Sequence, residues 1–294
     1  MRNGIMIGVD VGGTFTDVFV LDEATGQARV AKVPTTRPDQ SGGFLDGINQ
    51  QVSDLSGVAA VVHGTTAGTN ALLERKGAKI GVITTQGLRD VLEMRRRDRP
   101  STWGLWGQFQ PVVDRVNRLE VDERTLADGT IRQPVNEDQV RAAAEQLLEQ
   151  DCSSVCLFFI NGYANPENET KAAKVLRSIW PNDHISIATE ILPEIREFER
   201  CSTSTLNAYL QPPVAKYLAR LEGRIADEKA DAEILIVQSN GGVMSVKTAK
   251  NLPIRTALSG PAAGVVGARQ IAGAAGFDNI ITGDMGGSSF DVSL

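Results

Sequence analysis

The sequence predicts an α/β protein built around a mixed sheet with helices on its faces. Three short apolar runs near the start, at 5–9, 18–21 and 28–33, are separated by turns and predict consecutive antiparallel strands. Stretches of helical and strand periodicity then alternate along the rest of the chain. A third observation is a pair of glycine hairpins with the same pattern, far apart in the sequence.

The size and charge of the chain limit its class. With 294 residues, 41% hydrophobic and 22% charged, it is long enough for about two domains with separate cores. The net charge of -6 argues against a general nucleic-acid-binding protein, which usually has a basic face. No apolar run approaches the ~20 residues that cross a bilayer, so we expect a cytoplasmic protein without membrane contact. The three cysteines lack metal-type spacing, and we expect free buried thiols.

The elements follow in order after the first three strands. The next predicted elements are a helix within 39–55, a strand at 58–62, a helix at 67–75 and a strand at 79–84. A second α/β segment, which we expect to be inserted into the first domain, has strands at 118–121, 129–135, 154–160 and 185–188 and helices at 136–150 and 169–180. The chain then returns through a helix at 202–225, a strand at 234–237 and a helix of small residues at 259–275.

The first glycine hairpin runs from Asp10 to Asp17 with the sequence DVGGTFTD. Its adjacent glycines, Gly12 and Gly13, allow close approach of the backbone to a ligand. Their N–H groups, with the hydroxyls of Thr14 and Thr16, can form a concave donor set for phosphate oxygens. Asp10, at the end of a strand, can hold a hydrated Mg²⁺. By itself, the pattern is equally compatible with an ordinary hairpin with a Gly-Gly turn.

The second hairpin, residues 284–291, has the sequence DMGGSSFD. Acid, apolar residue, two glycines, hydroxyls and second acid recur at the offsets of the first hairpin. Two such hairpins predict two related halves that clamp one polyphosphate from opposite sides, although coincidental turns remain the alternative. The candidates in this copy are Asp284, Gly286, Gly287, Ser288 and Ser289.

Two other segments have both a functional and a structural interpretation. The residues His63, Gly64, Thr65 and Thr66 lie between a predicted strand and helix, where they could bind an anion or simply cap the helix. The basic segment 89–99 could be a solvated face, a partner contact or a pocket loop whose arginine holds a carboxylate or phosphate. Trp103 and Trp106, which follow it, also fit a subunit interface.

Several stretches resemble the hydantoinase/oxoprolinase family, in its ATP-dependent A-type subunit. They are IGVDVGGTFTDVFV, VVHGTTAGTNALLERKGAKIGVITTQGLRDVLE, LPEIREFERCSTSTLNAYLQPPVAKYL, QSNGGVMS, LSGPAAGVVGA and GDMGGSSFDVSL. They run over nearly the whole chain in the order that the family has.

The resemblance implies a fold and a division of the chain. The family is similar in core fold to actin, sugar kinases and heat-shock chaperone ATPases. We therefore expect an actin-like lobe with the first phosphate loop in 1–85 and a hydantoinase-type α/β insertion in 86–190. The lobe and connecting helix would resume in 191–275, and 276–294 would begin the second lobe with the second phosphate loop. Most of that lobe and the adenosine pocket are expected beyond this N-terminal portion, which should be inactive alone.

The resemblance also implies a site that binds ATP and Mg²⁺. Asp10 and Asp284 would be the catalytic and metal-holding residues. The nucleotide-binding residues would be Gly12, Gly13, Thr14, Thr16, Gly286, Gly287, Ser288 and Ser289. A B-type partner subunit or domain would complete the reaction.

The resemblance further implies a reaction. The favoured one is phosphorylation of the carbonyl-derived oxygen of a cyclic amide (hydantoin, oxoproline or lactam) for ring-opening hydrolysis. The alternatives are an ATP-dependent ketone carboxylase subunit of the acetone or acetophenone type and a non-catalytic nucleotide-switch ATPase. Two departures bear on this choice. Phe290 follows the two serines where the family pattern has a third hydroxyl residue, and Gly260-Pro261 lacks the acid of chaperone ATPases and sugar kinases. A missing base argues against splitting of water or phosphorylation of a hydroxyl.

Overall fold

The structure is a computed structural model. It describes residues 4–12, 14–35, 40–52, 55–101, 103–104, 106–228, 232–285 and 290–294.

The strands of the described residues are β1 (Ile5–Val11), β2 (Phe15–Asp22), β3 (Gln27–Pro34), β4 (Val58–Thr65), β5 (Ile80–Thr85), β6 (Arg118–Val121), β7 (Arg124–Thr125), β8 (Ile131–Gln133), β9 (Ser154–Phe158), β10 (Ile185–Ile187), β11 (Glu233–Val237), β12 (Val243–Ser245), β13 (Thr282–Met285) and β14 (Phe290–Ser293). The helices of the same residues are α1 (Gln40–Asn49), α2 (Ala67–Leu73), α3 (Val91–Met94), α4 (Glu137–Glu149), α5 (Glu167–Ile179), α6 (Ala188–Ile191), α7 (Glu197–Asp227), α8 (Val246–Asn251) and α9 (Ser259–Ala274).

The chain forms two compact units. Unit 1 comprises the described residues up to Glu74 and those from Pro213 onward, and unit 2 comprises Arg75–Pro212. The long helix α7 contributes its first half to unit 2 and its second half to unit 1. The finer division into four segments stays a prediction.

Unit 1 is built on a mixed sheet with the strand order β12-β11-β4-β1-β2-β3. The pairs β1–β4 and β4–β11 are parallel, whereas β1–β2, β2–β3 and β11–β12 are antiparallel. The meander of the first three strands and the mixed character of the sheet were both predicted, and the structure confirms them. Helix α1 packs on β1, β2 and β3, and α9 packs on β4 and β11.

One face of this sheet is the core of unit 1. Val9 and Val11 of β1 are buried, and so are the residues opposite them in the register, Val18 and Thr16 of β2. Helix α1 covers this face so closely that a Cβ added at Gly47 would lie 2.7 Å from Val18 Cγ2. Because successive side chains of a strand point to opposite faces, Asp10 lies on the other face, away from the core.

His63 belongs to the buried face of β4 and is 0% exposed. Its Nδ1 lies 3.3 Å from Val9 O, which can only accept, so Nδ1 carries the proton and donates. Nε2 then accepts from the Tyr217 hydroxyl at 2.8 Å, and the Phe44 ring meets the imidazole edge-on. Both ring nitrogens are therefore engaged in the core. Of the two interpretations of His63, the structural one holds here, and burial lowers the pKa of His63 to about 4.

Unit 2 has a parallel sheet with the strand order β10-β9-β5-β6. Helices α4 and α5 pack together and on this sheet, and Leu147, Leu157 and Leu176 are fully buried in the core between them. The cysteines are free and buried, as predicted. Burial raises the pKa of the Cys201 thiol to about 12, so this cysteine is not a poised nucleophile.

A buried ion pair joins several elements of unit 2. Glu169 of α5 and Arg200 of α7 are 0% and 1% exposed, with Glu169 Oε1 2.9 Å from Arg200 Nη2. The same Oε1 accepts from Phe159 N at 2.8 Å, and Oε2 accepts from Thr189 N at 2.9 Å. Arg200 Nη1 donates to Phe159 O at 2.8 Å. The pair therefore satisfies backbone groups that follow β9 and begin α6.

Glu169→Ala should destabilise unit 2 by about 3–5 kcal/mol, because it leaves the Arg200 guanidinium buried without its counter-ion. The free energy of unfolding from urea denaturation measures this loss. Glu190→Ala is the matched control, since the Glu190–Arg177 pair is more than half exposed and should be worth under about 1 kcal/mol. Equal losses of unfolding free energy in the two variants would show that the buried pair contributes no more stability than the exposed pair.

His63 should give unit 1 a pH-dependent stability. The unfolded chain takes up this proton near pH 6.5, whereas the folded state takes it up only near pH 4. Stability is therefore complete above pH 6.5 and falls by up to about 3 kcal/mol as the pH drops toward 4.

Unfolding measured between pH 4 and 7 should show a flatter profile in His63→Gln than in the unchanged chain. His184→Gln is the control, because His184 is only half-buried and should account for less of the slope. An unchanged profile in His63→Gln would contradict this account.

Candidate phosphate and metal site

Asp10 lies at the end of β1, on the face of the sheet that is not the core. Its partner in the antiparallel register is Asp17 of β2, so two carboxylates lie side by side across the hairpin. Lys32 of β3 forms an exposed ion pair with Asp17 at 2.8 Å. Lys32 is thus the protein cation that pairs with Asp17, and the Asp10 carboxylate remains at the end of β1.

The turn of the first hairpin is held by a chain of hydrogen bonds. Gly12 N donates to Phe15 O at 3.0 Å, and Thr35 Oγ1 donates to Gly12 O at 2.9 Å. Because the Thr35 hydroxyl donates its one proton to Gly12 O, the Thr16 hydroxyl is the donor in the 3.1 Å hydrogen bond between Thr16 and Thr35. Thr16 thus supports the loop from the buried face, and Thr14 is exposed. Phosphate binding by either threonine stays a prediction.

The second hairpin repeats the geometry of the first. Asp284 faces Asp291 across β13 and β14, as Asp10 faces Asp17. Four residues separate the last pair of each hairpin, Val11–Thr16 and Met285–Phe290. The structure therefore gives both copies the same carboxylate pair at the same distance from the turn. The predicted phosphate contacts Gly13, Gly286, Gly287, Ser288 and Ser289 lie outside the described residues.

Both hairpins open on one cavity of about 620 Å³ within unit 1. Asp10, Asp284 and Asp291 line it, together with the first turns of α9 from Gly260 and the strand approach of the second hairpin. The structure thus brings together the two acids that the sequence predicted as metal-holding residues, although they are more than 270 positions apart.

The charges around Asp10 favour a cation. Partial desolvation raises the pKa of Asp10, and the carboxylates of Asp17 and Asp284 raise it further, while Lys32 acts in the opposite direction. A divalent cation beside these acids would relieve their repulsion and hold Asp10 ionised. Among the residues that the structure describes, no group of three acids, histidines or cysteines could hold a metal alone. The donor set suits Mg²⁺, which one or two carboxylates hold through water in company with phosphate oxygens.

Glycines make room for the Asp10 carboxylate. Gly64 of β4 is its neighbour in the register, and a Cβ there would lie 2.9 Å from Asp10 Oδ1. A Cβ at Gly260 would lie 3.6 Å from the same oxygen. The sequence indicates Gly64 as a possible anion donor and Gly260 only as the place of a missing acid. The pairing of two predicted strands, 5–9 and 58–62, is the signal that could have placed Gly64 beside Asp10.

The amino end of α9 is fixed next to this carboxylate. Leu258, at φ 59°, precedes the helix, and its N–H donates to Thr69 Oγ1 at 3.0 Å. Ser259 Oγ donates to Thr65 O at 3.2 Å. The end of β4 and the first turn of α2 therefore hold the start of a 16-residue helix, whose amino end carries a partial positive charge. Thr65 Oγ1 also accepts from Ala67 N at 3.2 Å, whereas the N-cap residue of α2, Thr66, makes no side-chain capping bond.

No helix in the part of the chain that the structure describes is long and apolar enough to span a bilayer.

Family models match most of the chain. The hydantoinase/oxoprolinase N-terminal region matches residues 6–180, and the hydantoinase/oxoprolinase model matches residues 200–294. The first match includes the first hairpin and Gly64, and the second includes α9 and the second hairpin.

Two relatives are similar to this chain in both sequence and structure. Caprolactamase subunit alpha of Pseudomonas jessenii is 32% identical over 98% of this chain and 43% of its own length. A crystal structure of ATP-dependent caprolactamase from that species has a TM-score of 0.86 at 30% identity, covering 98% of this chain and 43% of that one.

Acetone carboxylase beta subunit of Xanthobacter autotrophicus is 30% identical over the whole of this chain and 44% of its own length. A nucleotide-free acetone carboxylase structure, from work on ATP-dependent acetone carboxylation, has a TM-score of 0.84 at 28% identity, with 100% of this chain and 44% of that chain covered.

The comparisons bear on fold and family. The two structural matches confirm the predicted actin-like α/β fold class. The chain spans less than half the length of the curated relatives that it matches. From its two family matches, which include both glycine hairpins, the chain belongs to the hydantoinase/oxoprolinase family.

Proposed function

We propose that this chain forms the phosphate- and Mg²⁺-binding part of an ATP-dependent enzyme that activates a cyclic amide. The carbonyl-derived oxygen of a hydantoin, oxoproline or lactam would attack the γ-phosphorus of ATP as the bond to the ADP oxygen breaks. The resulting phosphorylated ring would then be open to hydrolysis. The observation that carries the proposal is the single cavity on which both carboxylate-bearing hairpins open.

In this proposal each group of residues has a physical task. Asp10 and Asp284 would hold Mg²⁺, mostly through water, and the cation would supply neutralisation of phosphate charge. The predicted donors Gly13, Thr14, Gly286, Gly287 and Ser288 would position the phosphates, whereas the N–H and C=O of Gly12, also a predicted phosphate contact, form hydrogen bonds that hold the turn. The amino end of α9 adds a fixed positive potential beside Asp10. Positioning and charge neutralisation are the main contributions in phosphoryl transfer.

The residue at the start of α9 favours a carbonyl oxygen as the acceptor. Gly260 lies beside Asp10 and carries no side chain that could take a proton. A hydroxyl or water must lose a proton during attack and needs a base, whereas an amide oxygen is electron-rich and has no proton to lose. The same feature argues against the alternative of a nucleotide-switch ATPase that splits water.

A ketone carboxylase subunit is the second candidate. The observation that favours it is the structural likeness to acetone carboxylase. Its TM-score of 0.84 at 28% identity is close to the 0.86 at 30% identity of caprolactamase. An enolate oxygen also has no proton to lose during attack, but a base must first remove the proton from the α-carbon of the ketone. The names of the relatives, a subunit alpha and a beta subunit, also support the proposal that a partner subunit or domain completes either reaction.

Isotope transfer distinguishes these reactions in the full-length protein with its partner. With ¹⁸O in the carbonyl of a lactam or hydantoin, we expect the label to appear in inorganic phosphate, with ATP hydrolysis dependent on the amide. Release of phosphate that depends only on a ketone and bicarbonate, without transfer of the ketone oxygen, would select the carboxylase instead, because the carboxylated product keeps that oxygen. ATP hydrolysis that ignores all these compounds would contradict both proposals.

Gly64→Ala tests the position of the Asp10 carboxylate. The new Cβ would lie 2.9 Å from Asp10 Oδ1, so the flexible carboxylate must move while the backbone can stay in place. We expect the affinity for Mg²⁺-nucleotide to fall at least about tenfold, with a melting temperature close to that of the unchanged protein.

Gly223→Ala in α7 is the matched control, because a Cβ there meets nothing within 4 Å. Calorimetric titration with a non-hydrolysable ATP analogue measures the affinity. Unchanged nucleotide binding in Gly64→Ala would exclude Asp10 from the site.

A further inference from the structure

A cavity in unit 2 has the composition of a binding site for a small organic acid. It has a volume of about 300 Å³, at the lower end of the range for small-molecule sites. Two arginines and a hydroxyl, Arg75, Arg95 and Ser202, share its wall with apolar side chains such as Phe109 and Phe198. No acidic residue is among the described residues that line it.

Arg95 is held in place by aromatic stacking. Its guanidinium carbon lies 3.8 Å from the centre of the Phe109 ring and 5.6 Å from that of Phe198. Such stacking fixes the plane of the guanidinium and leaves its edge for hydrogen bonding. Arg95 Nη2 forms an ion pair with Asp98 Oδ2 at 3.2 Å, and the Asp98 side chain is 46% exposed.

The remaining donors of Arg95 are not all satisfied by the protein. Its Nε is buried and has no hydrogen-bond partner among the described residues, a feature that it shares with Arg89 and Arg200. A buried N–H without a partner costs free energy, so such a group is expected to find a partner in a bound molecule or water. A guanidinium is shaped to donate two parallel hydrogen bonds to a carboxylate.

The backbone has a positive φ at both arginines of the cavity. Arg75 has φ 52°, and Arg95 has φ 47° with ψ -134°, a conformation that L-residues with a Cβ rarely adopt. Arg75 Nη1 donates to Gln110 O at 2.9 Å, which ties this guanidinium to the opposite wall. Arg75 directly follows the C-cap of α2, where a positive φ commonly ends a helix. The conformation of Arg95 has no such ordinary explanation and indicates a functional constraint at this arginine.

We propose that this cavity binds a small carboxylate on an apolar or flat ring, with Arg95 pairing the carboxylate and the phenyl rings packing on the ring. Ser202 would donate to or accept from a polar group of the ligand. This chemistry is shared by two sources, a carboxylated substrate and an acid that acts as an effector. The inference does not depend on the proposed function, because unit 2 alone lines the cavity.

Matched pairs of ligands test the carboxylate requirement in the full-length protein without nucleotide. The probes are 5-oxoproline against pyrrolidin-2-one and benzoate against benzamide, which differ in the carboxylate. Calorimetric titration should give binding of at least one acid and at least about tenfold weaker binding of its neutral counterpart, since a charge-assisted pair is lost. Equal affinities within both pairs, or no binding by either acid, would overturn the proposal.

Three variants test the place of binding. Arg95→Met should weaken binding of the acid at least about tenfold, and Ser202→Leu should do the same by filling the cavity without removing a charge. Arg97→Met is the control, because Arg97 lies on the same segment, also has a positive φ of 64° and does not line this cavity. Loss of binding in Arg97→Met alone, or in none of the three, would contradict the assignment.

Turnover separates the two sources of the acid. If the bound acid stimulates ATP hydrolysis and is consumed, and Arg95→Met raises its KM, the cavity recognises the substrate. If the acid binds without being consumed and changes the turnover of a neutral amide, the cavity is an effector site. Amide-dependent isotope transfer with no acid binding would leave the proposed function intact and remove this inference.

Discussion

The alternation of side chains along β1 is the constraint on which the candidate site depends. Val9 and Val11 must face the core, where they pack with the paired residues of β2 and with His63. Asp10, between them, is then forced onto the other face. A slip of one residue would bury the carboxylate and expose two valines, so the hydrophobic core itself fixes the direction of the acid.

The opposite face of the sheet is kept open for this acid by small residues. Gly64 lies beside Asp10 in the neighbouring strand, and Gly260 begins the helix that approaches it. The start of α9 is fixed by hydrogen bonds from Leu258 to α2 and from Ser259 to the end of β4. A carboxylate pair from the second hairpin faces the same cavity. The like charges raise the pKa of Asp10, a cost that a bound cation would remove.

The two units place their buried polar groups differently. In unit 1, His63 is neutral and bonded on both sides, so it stiffens the sheet behind the site without adding charge. In unit 2, a full ion pair between Glu169 and Arg200 organises the ends of several elements. A second arginine of unit 2, Arg95, is held by aromatic rings and keeps a buried donor without a partner among the described residues. Arg200 also lies near aromatic rings and also has a buried Nε without a partner among the described residues. The two arginines differ in their counter-ion and surroundings, since Arg200 binds the fully buried Glu169 whereas Arg95 lines a cavity and pairs with the half-exposed Asp98.

Local patterns in the sequence were sufficient to predict the meander, the strand–helix alternation and the two matching hairpins. Period, turn residues and offsets are properties of neighbouring residues, so these features could be predicted without knowledge of the fold. The family resemblance rested on the same motifs and was confirmed. The placement of Gly64 and Gly260 beside Asp10 and the burial of Thr16 required the tertiary structure. Those contacts join residues that are distant in the chain, and the pairing of strands and the packing of α9 decide them, whereas no local pattern records them.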